Sequence, residues 1–273
     1  MKAHTKGLLE ELYARYNRRE LVHPDPLEFL YAYDDIRDRE VAGLVASSLA
    51  YGRVAGILAS VSHVLNLMGP SPSCFLERAT RRSLEQTFAS FKHRWTTGED
   101  IASLLFAAKH TIERYGSLYE CFAFALNEND DTILPALSAF VKELSAECNG
   151  MHKSFLPSPD AGSACKRLNL FLRWMVRNDD VDPGGWDNVP ASRLIVPLDT
   201  HMLKISLALK LTKRNGANMR TANEITEAFR AIAPRDPVRY DFALTRLGIR
   251  KDADIGAFLE ECAEAERTLT STR

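Results

Sequence analysis

The chain has 273 residues, with 35 basic and 36 acidic side chains and a formal net charge of -1 when histidine is neutral. That balance excludes a protein coated in basic surface, of the histone-like or ribosomal kind, but leaves room for a local anion-binding patch. A chain that is 45% hydrophobic and 26% charged is globular rather than disordered, and its length allows one large core or two smaller ones.

Glycine is scarce, 14 in 273, and nearly every segment reads with a helical period. Asp25-Pro26 pairs an N-cap with a proline at the first helical position and opens a helix over Leu27 to Tyr33. A second helix is expected from Asp38 to Tyr51, stopped by Gly52, and a third from Val54 to Met68, closed by Gly69-Pro70. Ser71-Pro72 starts a short helix carrying Phe75 and Leu76, and further helices are expected over about 99–114, 117–127 and 131–148.

Turn-prone residues then interrupt the pattern between Asn149 and Gly162, where a boundary between two lobes of one domain is placed. Leu168, Phe171, Leu172, Met175 and Val176 form a clear helical stripe. The loop from Asn178 to Pro190 centres on Asp182-Pro183-Gly184-Gly185-Trp186, and another helix starts at Asp199. Thr221 to Glu224 reads as a capping box, Asp236-Pro237 as one more helix start, and Ala253 to Thr268 as the last helix. With no alternating strand and no internal repeat, the expected fold is all-α with about a dozen helices.

No apolar run approaches the ~18 residues of a membrane helix, and the N-terminus lacks a signal-peptide core. Cys74, Cys121, Cys148, Cys165 and Cys262 are widely spaced with no CxxC pair. They read as reduced thiols of a cytoplasmic protein, without an iron–sulfur cluster or zinc ribbon. The seven histidines form no HExxH and no i, i+4 pair, so no metal and no cofactor are expected. No GxGxxG, GxxxxGK[ST] or GxSxG motif occurs.

The charge is unevenly spread. Residues 151–220 hold eleven basic against six acidic side chains, a net +5, while residues 1–150 hold 16 against 20 and residues 221–273 hold 8 against 10. The positive segment contains a turn-rich stretch, Phe155 to Lys166, that runs into a helix, and later Ile195-Val196-Pro197-Leu198-Asp199-Thr200-His201, whose Asp199 stands 33 residues after Lys166.

This arrangement resembles the helix-hairpin-helix DNA glycosylases, the superfamily of endonuclease III and the 8-oxoguanine glycosylases. Leu156-Pro157 matches the hairpin's opening, Lys166 falls at the catalytic lysine and Leu198-Asp199-Thr200-His201 matches the aspartate motif. Glu40 to Phe75 resembles an early helix pair, and Asp236 to Gly248 a late helix of the archaeal 8-oxoguanine members. As a whole the chain resembles a bacterial family of unknown function within the superfamily. The hairpin's glycine pair is reduced to Gly162 beside Ser163, and the cysteine cluster of endonuclease III is absent.

The resemblance implies a two-lobed helical domain with the hairpin and catalytic helix at 155–178. It also implies a monomer that acts on damaged double-stranded DNA, removes a base such as an oxidised purine and cuts at the abasic site. Such a repair enzyme would be cytoplasmic and nucleoid-associated. Lys166 would be the nucleophile and Asp199 the carboxylate; Gly162, Ser163, Arg167, Tyr51 and Arg53 would contact DNA.

The two central residues also have a reading of their own. A lysine that attacks a sugar C1′ must be a neutral amine, and a position in the first turn of a helix capped by Ser163 disfavours the ammonium form. Asp199, at a helix N-terminus, is held ionised by the same dipole and can stabilise an oxocarbenium-like sugar or accept a proton. Against this, Lys166 lies opposite the apolar stripe, as an exposed helix lysine does, and Asp199 suits a plain N-cap. Trp186, in its Gly-Gly loop, is the candidate to stack on an extruded base, or else a loop tryptophan packed on the core. Arg78, Arg81, Arg82, Lys92 and Arg94 read as a solvated face rather than a phosphate track. The competing function is a non-catalytic helical module that holds nucleic acid or a partner protein.

Overall fold

The computed structural model describes residues 3–146, 155–249, 256–260 and 262. Among the described residues the protein is all-α apart from one small hairpin. Its helices are α1 (Ala3–Tyr16), α2 (Ile36–Ser48), α3 (Val54–Met68), α4 (Pro72–Arg78), α5 (Arg81–Thr87), α6 (Gly98–Tyr115), α7 (Leu118–Phe124), α8 (Leu134–Ala146), α9 (Lys166–Val176), α10 (Thr200–Ala208), α11 (Met219–Arg230) and α12 (Asp241–Ile249). No single helix is long and apolar enough to cross a membrane among the described residues.

The helix starts are set by side chains that accept the orphan N–H groups of the first turn. Asp35 caps α2 through the N–H of Arg37, Ser71 caps α4, and Thr97 with Asp100 forms a reciprocal box at α6. Asp25 accepts from Leu27 as expected, but the segment it opens, Pro26–Ala32, is a 3₁₀ helix. Two expected starts lie elsewhere. Asn218, not Thr221, caps α11, and the Thr221 hydroxyl donates to the Gly216 carbonyl instead. Asp236 opens no helix because its carboxylate is taken by Arg177, and α12 begins at Asp241. Of the expected helix over 253–268, residues 256–260 and 262 are described and helical; its other residues and the part of the expected lobe boundary at 149–154 lie outside the described residues.

One cluster of buried side chains runs from Leu9 to Cys262. At its centre α2 packs against α9, and Gly43 on α2 lets Phe171 of α9 approach to 3.2 Å from where a Cβ would stand. This contact fixes α9, and with it Lys166, against the early helices. Cys74 is exposed and Cys121, Cys165 and Cys262 are buried, all as free thiols. Burial pushes the Cys121 and Cys165 thiols up, to about 12 and about 11, so neither is a nucleophile at neutral pH.

The hairpin was not anticipated. Strands β1 (Lys92–His93) and β2 (Thr96–Thr97) pair antiparallel and leave Arg94-Trp95 as a two-residue loop. Arg94 takes the left-handed conformation, with φ of 56°, which such a tight loop demands.

Candidate active site

Lys166 is the first residue of α9. Its helix is entered through Cys165, whose left-handed backbone (φ 47°) makes a sharp corner. Ser163 does not cap α9; its hydroxyl accepts from the Cys165 N–H at 3.2 Å and ties the corner instead. The corner leaves Lys166 in the first turn of α9.

Asp199 reaches the same point from the other side. It caps α10, with Oδ1 accepting from the N–H groups of His201 and Met202, both at 2.9 Å. Its second oxygen, Oδ2, lies 3.0 Å from Lys166 Nζ. Burial pushes the Asp199 carboxyl up, but the Lys166 charge and the two backbone donors outweigh it and hold the group below the ordinary carboxylate value of 3.8. About a third of each side chain, 33% for Lys166 and 37% for Asp199, stays accessible.

What they face is a cleft of about 240 Å³, walled by Pro24, Pro26, Val54, Ile57, Leu170 and Phe242, with Trp174, Arg173, Asp25 and Asp241 among its polar lining. The indole N–H of Trp174 and Nε2 of His201 have no hydrogen-bond partner among the described residues. A wider depression of about 730 Å³ opens on the other side of the pair, bounded by Tyr51, Pro157, Ser163, Arg167 and Leu198. Ala50, Gly52, Ile57, Lys166 and Asp199 belong to both, so the amine and carboxylate stand on the divide between a narrow chamber and a broad groove.

The polar side of the cleft is an ion network. Arg173 contacts Asp241 and Asp182, the latter at 3.2 Å, and Arg177 contacts Asp182, Asp179 at 2.6 Å and Asp236 at 2.9 Å. Both arginines and Asp182 are fully enclosed. Arg246 pairs with Asp25 in the same way. Burial pushes the Asp241 carboxyl up, against the pull of Arg173.

Trp186 is a correction. It is 0% exposed and packs edge-on against Phe171 with centroids 5.2 Å apart, beside Phe122 and Tyr119. Its indole N–H donates to Glu40 at 2.9 Å, so neither its face nor its edge is open to a base. The loop can bury it because Gly185 has φ of 128° and sits where a Cβ would fall 2.0 Å from Ile36 Cδ1. Glu40 also accepts from the N–H groups of Leu118 and Tyr119 at the start of α7. Burial pushes its carboxyl up to about 7, against these three donors.

The loop is fastened to the helix before it as well. The N–H groups of Gly184 and Trp186 donate to the carbonyls of Trp174 and Met175 in the last turn of α9, at 3.1 and 2.8 Å. Those carbonyls would otherwise lack partners. Arg39 donates to the carbonyls of Pro183 and Gly184 from α2.

Of the remaining expected residues, Ser163, Arg167 and Tyr51 line the wide groove, whereas Gly162 and Arg53 are not part of its wall. Gly162 adopts φ of 76°, donates its N–H to Pro159 and accepts from Met219 of α11, so that N–H is already engaged. Arg167 donates to the Ser48 carbonyl at 2.8 Å and lies over the rings of Tyr51 and Phe155. Arg53 is exposed at the start of α3. Tyr51 is half-buried; its hydroxyl donates to the His93 carbonyl and bonds Thr96 Oγ1 at 2.6 Å, and its ring stacks on Trp95. It therefore supports the hairpin rather than reaching outward. Arg94 belongs to that hairpin and not to a featureless charged face.

Trp95, Trp174, Asp25 and Asp241 were not singled out beforehand. Trp95 stands in a short polar stretch with no periodic signal, and the other three reach the cleft only through tertiary packing. No group of three or more potential metal ligands occurs among the described residues.

The DUF2400 family, described as proteins of unknown function, matches residues 25–250. The chain belongs to this family. The matched span holds the cleft's lining residues from Asp25 to Thr245, all but Pro24. No curated protein and no solved structure matches.

Proposed function

We propose that this protein is a DNA glycosylase of the helix-hairpin-helix type with an associated lyase step. The observation that carries the reading is the Lys166–Asp199 pair, 3.0 Å apart and facing one cleft. An amine and a carboxylate thus meet at the edge of a chamber whose walls are mostly apolar, the usual character of a small-molecule site. The broad groove beside it, with Ser163, Arg167 and Tyr51, would take the backbone of damaged double-stranded DNA, and the chamber an extruded base.

In the reaction, Asp199 takes the proton that Lys166 must lose. The Nζ lone pair attacks C1′, a nitrogen–carbon bond forms, and the glycosidic bond breaks with its electron pair leaving on the base, which then gains a proton. Loss of the second amine proton as O4′ departs gives the imine. Removal of a C2′ proton then expels the 3′ phosphate and cuts the strand. Asp199 also stabilises positive charge building on the sugar.

Borohydride reduction with oligonucleotides holding an abasic site, 8-oxoguanine, uracil or hypoxanthine tests this reading. A covalent adduct should form, Lys166→Gln should abolish it, and Asp199→Asn should slow it by about 10²–10⁴-fold. Base release that survives Lys166→Gln but not Asp199→Asn would indicate a water-using glycosylase. One observation favours a non-catalytic nucleic-acid- or protein-binding module: Asp199 already caps α10 and neutralises Lys166, which a purely structural pair would also do. Salt-sensitive DNA binding without base release would establish that alternative.

A further inference from the structure

Trp95 is the most exposed tryptophan of the described chain, 58% accessible, whereas Trp174 and Trp186 are buried. Its ring lies on Tyr51 with centroids 4.5 Å apart and planes 21° apart. Tyr51 is in turn fixed by its hydroxyl to both hairpin strands and crossed by the Arg167 guanidinium at 5.3 Å. The Arg94 guanidinium lies 4.9 Å from the Trp95 ring centre. Two stacked rings, each with a guanidinium over it, therefore run from the hairpin tip to the groove beside Lys166.

The local backbone is shaped for this. Gly52, at φ of 103°, lets Arg94 come within 2.8 Å of where a Cβ would be, and no other residue would permit that approach in that conformation. An exposed tryptophan held by a stack has little conformational freedom left to lose on binding. Arg94 beside it and Lys92 on the same hairpin are exposed, as is Arg53 next to Gly52, so the ring stands on a hairpin that presents cations. An aromatic plane amid positive charge, continuous with a groove, fits a base and its phosphate better than it fits an apolar peptide.

We infer that Trp95 is a stacking platform for an unpaired nucleobase next to the nucleotide held at Lys166, so that the protein prefers single-stranded or locally unpaired DNA to intact duplex. This rests on the proposed function and specifies its substrate. No bond is made or broken at Trp95; its part is binding alone.

The test uses full-length Lys166→Gln protein, which leaves the strand intact, and oligonucleotides with 2-aminopurine beside an abasic site. These are offered single-stranded, opposite a mismatch and fully paired. Trp95 should quench the 2-aminopurine in the first two. Adding Trp95→Ala should remove the quenching and weaken binding there by roughly thirtyfold, the middle of the range for one stacked base. Trp95→Phe should retain most of both, and affinity for paired duplex should change less than twofold. Thermal melts establish that each variant is folded.

Equal loss on paired and unpaired DNA, or less than twofold loss on unpaired DNA, would overturn the inference. So would a change in sedimentation of the protein alone on Trp95→Ala, which would mark a protein contact. If the native protein binds no DNA, the inference and the proposed function fail together. Binding with the expected Trp95 dependence but no borohydride adduct would overturn the chemistry alone.

Discussion

Helix α9 carries basic residues at both ends, and each end meets carboxylates, yet the two ends are built for different tasks. At the N-terminus Lys166 meets Asp199 with about a third of each side chain still open to the cleft. Two turns on, Arg173 and Arg177 are enclosed among Asp179, Asp182, Asp236 and Asp241. Arg173 and Asp241 reach the cleft wall, but each charge in the network already faces a partner, and removing one member strands the others in a poor dielectric. A half-open pair is worth little to folding because water competes for both charges, and for that same reason its groups remain available for chemistry. Ion pairing alone does not mark a site; the residual accessibility does.

Substitutions can break this contrast, beginning with the largest effect. Asp182→Ala leaves both arginines short of a partner and should cost about 3–5 kcal/mol in chemical denaturation. Equal stability of this variant and the native protein would show that the network relaxes or admits water. Glu40→Gln turns an amide N–H toward the Leu118 donor and should cost about 1–3 kcal/mol. Because the native carboxyl lies near 7, above its ordinary 4.5, the folded state holds a proton that the unfolded chain has lost between those values. The native protein should therefore lose stability relative to Glu40→Gln as pH rises from about 4.5 through 7.

Asp199→Asn has the opposite pH signature. The folded carboxyl titrates below 3.8, so its contribution is present above that value and disappears as pH falls through the folded value. Melting curves of native and variant protein should keep a constant separation at neutral pH and converge only in strong acid. The smallest effect is expected for Lys166→Gln, within about 1 kcal/mol of native although it abolishes the adduct. A larger loss would place Lys166 with the enclosed network instead.

Much of this was legible in the chain. Side chains that start helices and apolar stripes act locally, so α3, α4 and α9 follow the expected bounds within a few residues, and Lys166 and Asp199 meet across one cleft. What failed was decided at a distance. Trp186 looks like a surface residue because glycines flank it, and only Glu40, 146 positions earlier, reveals that its N–H has a buried acceptor. Asp236 was expected to open a helix, but Arg177 takes its carboxylate. The hairpin was missed because Arg94-Trp95 carries none of the Asn-Gly chemistry that usually announces a two-residue turn. The left-handed strain falls on an arginine instead.

The fastening of the Gly184–Trp186 loop to the last turn of α9 has a consequence for how the molecule opens. A thirteen-residue surface connection from Asn178 to Pro190, rich in glycine and proline, would ordinarily fray on its own and accept changes in length. Here its N–H groups complete the helix that begins at Lys166, so loop and helix should exchange their amide hydrogens as one cooperative unit. A residue inserted near Gly185 would then be felt eighteen or so positions upstream, as a loosening of the helix that holds the amine.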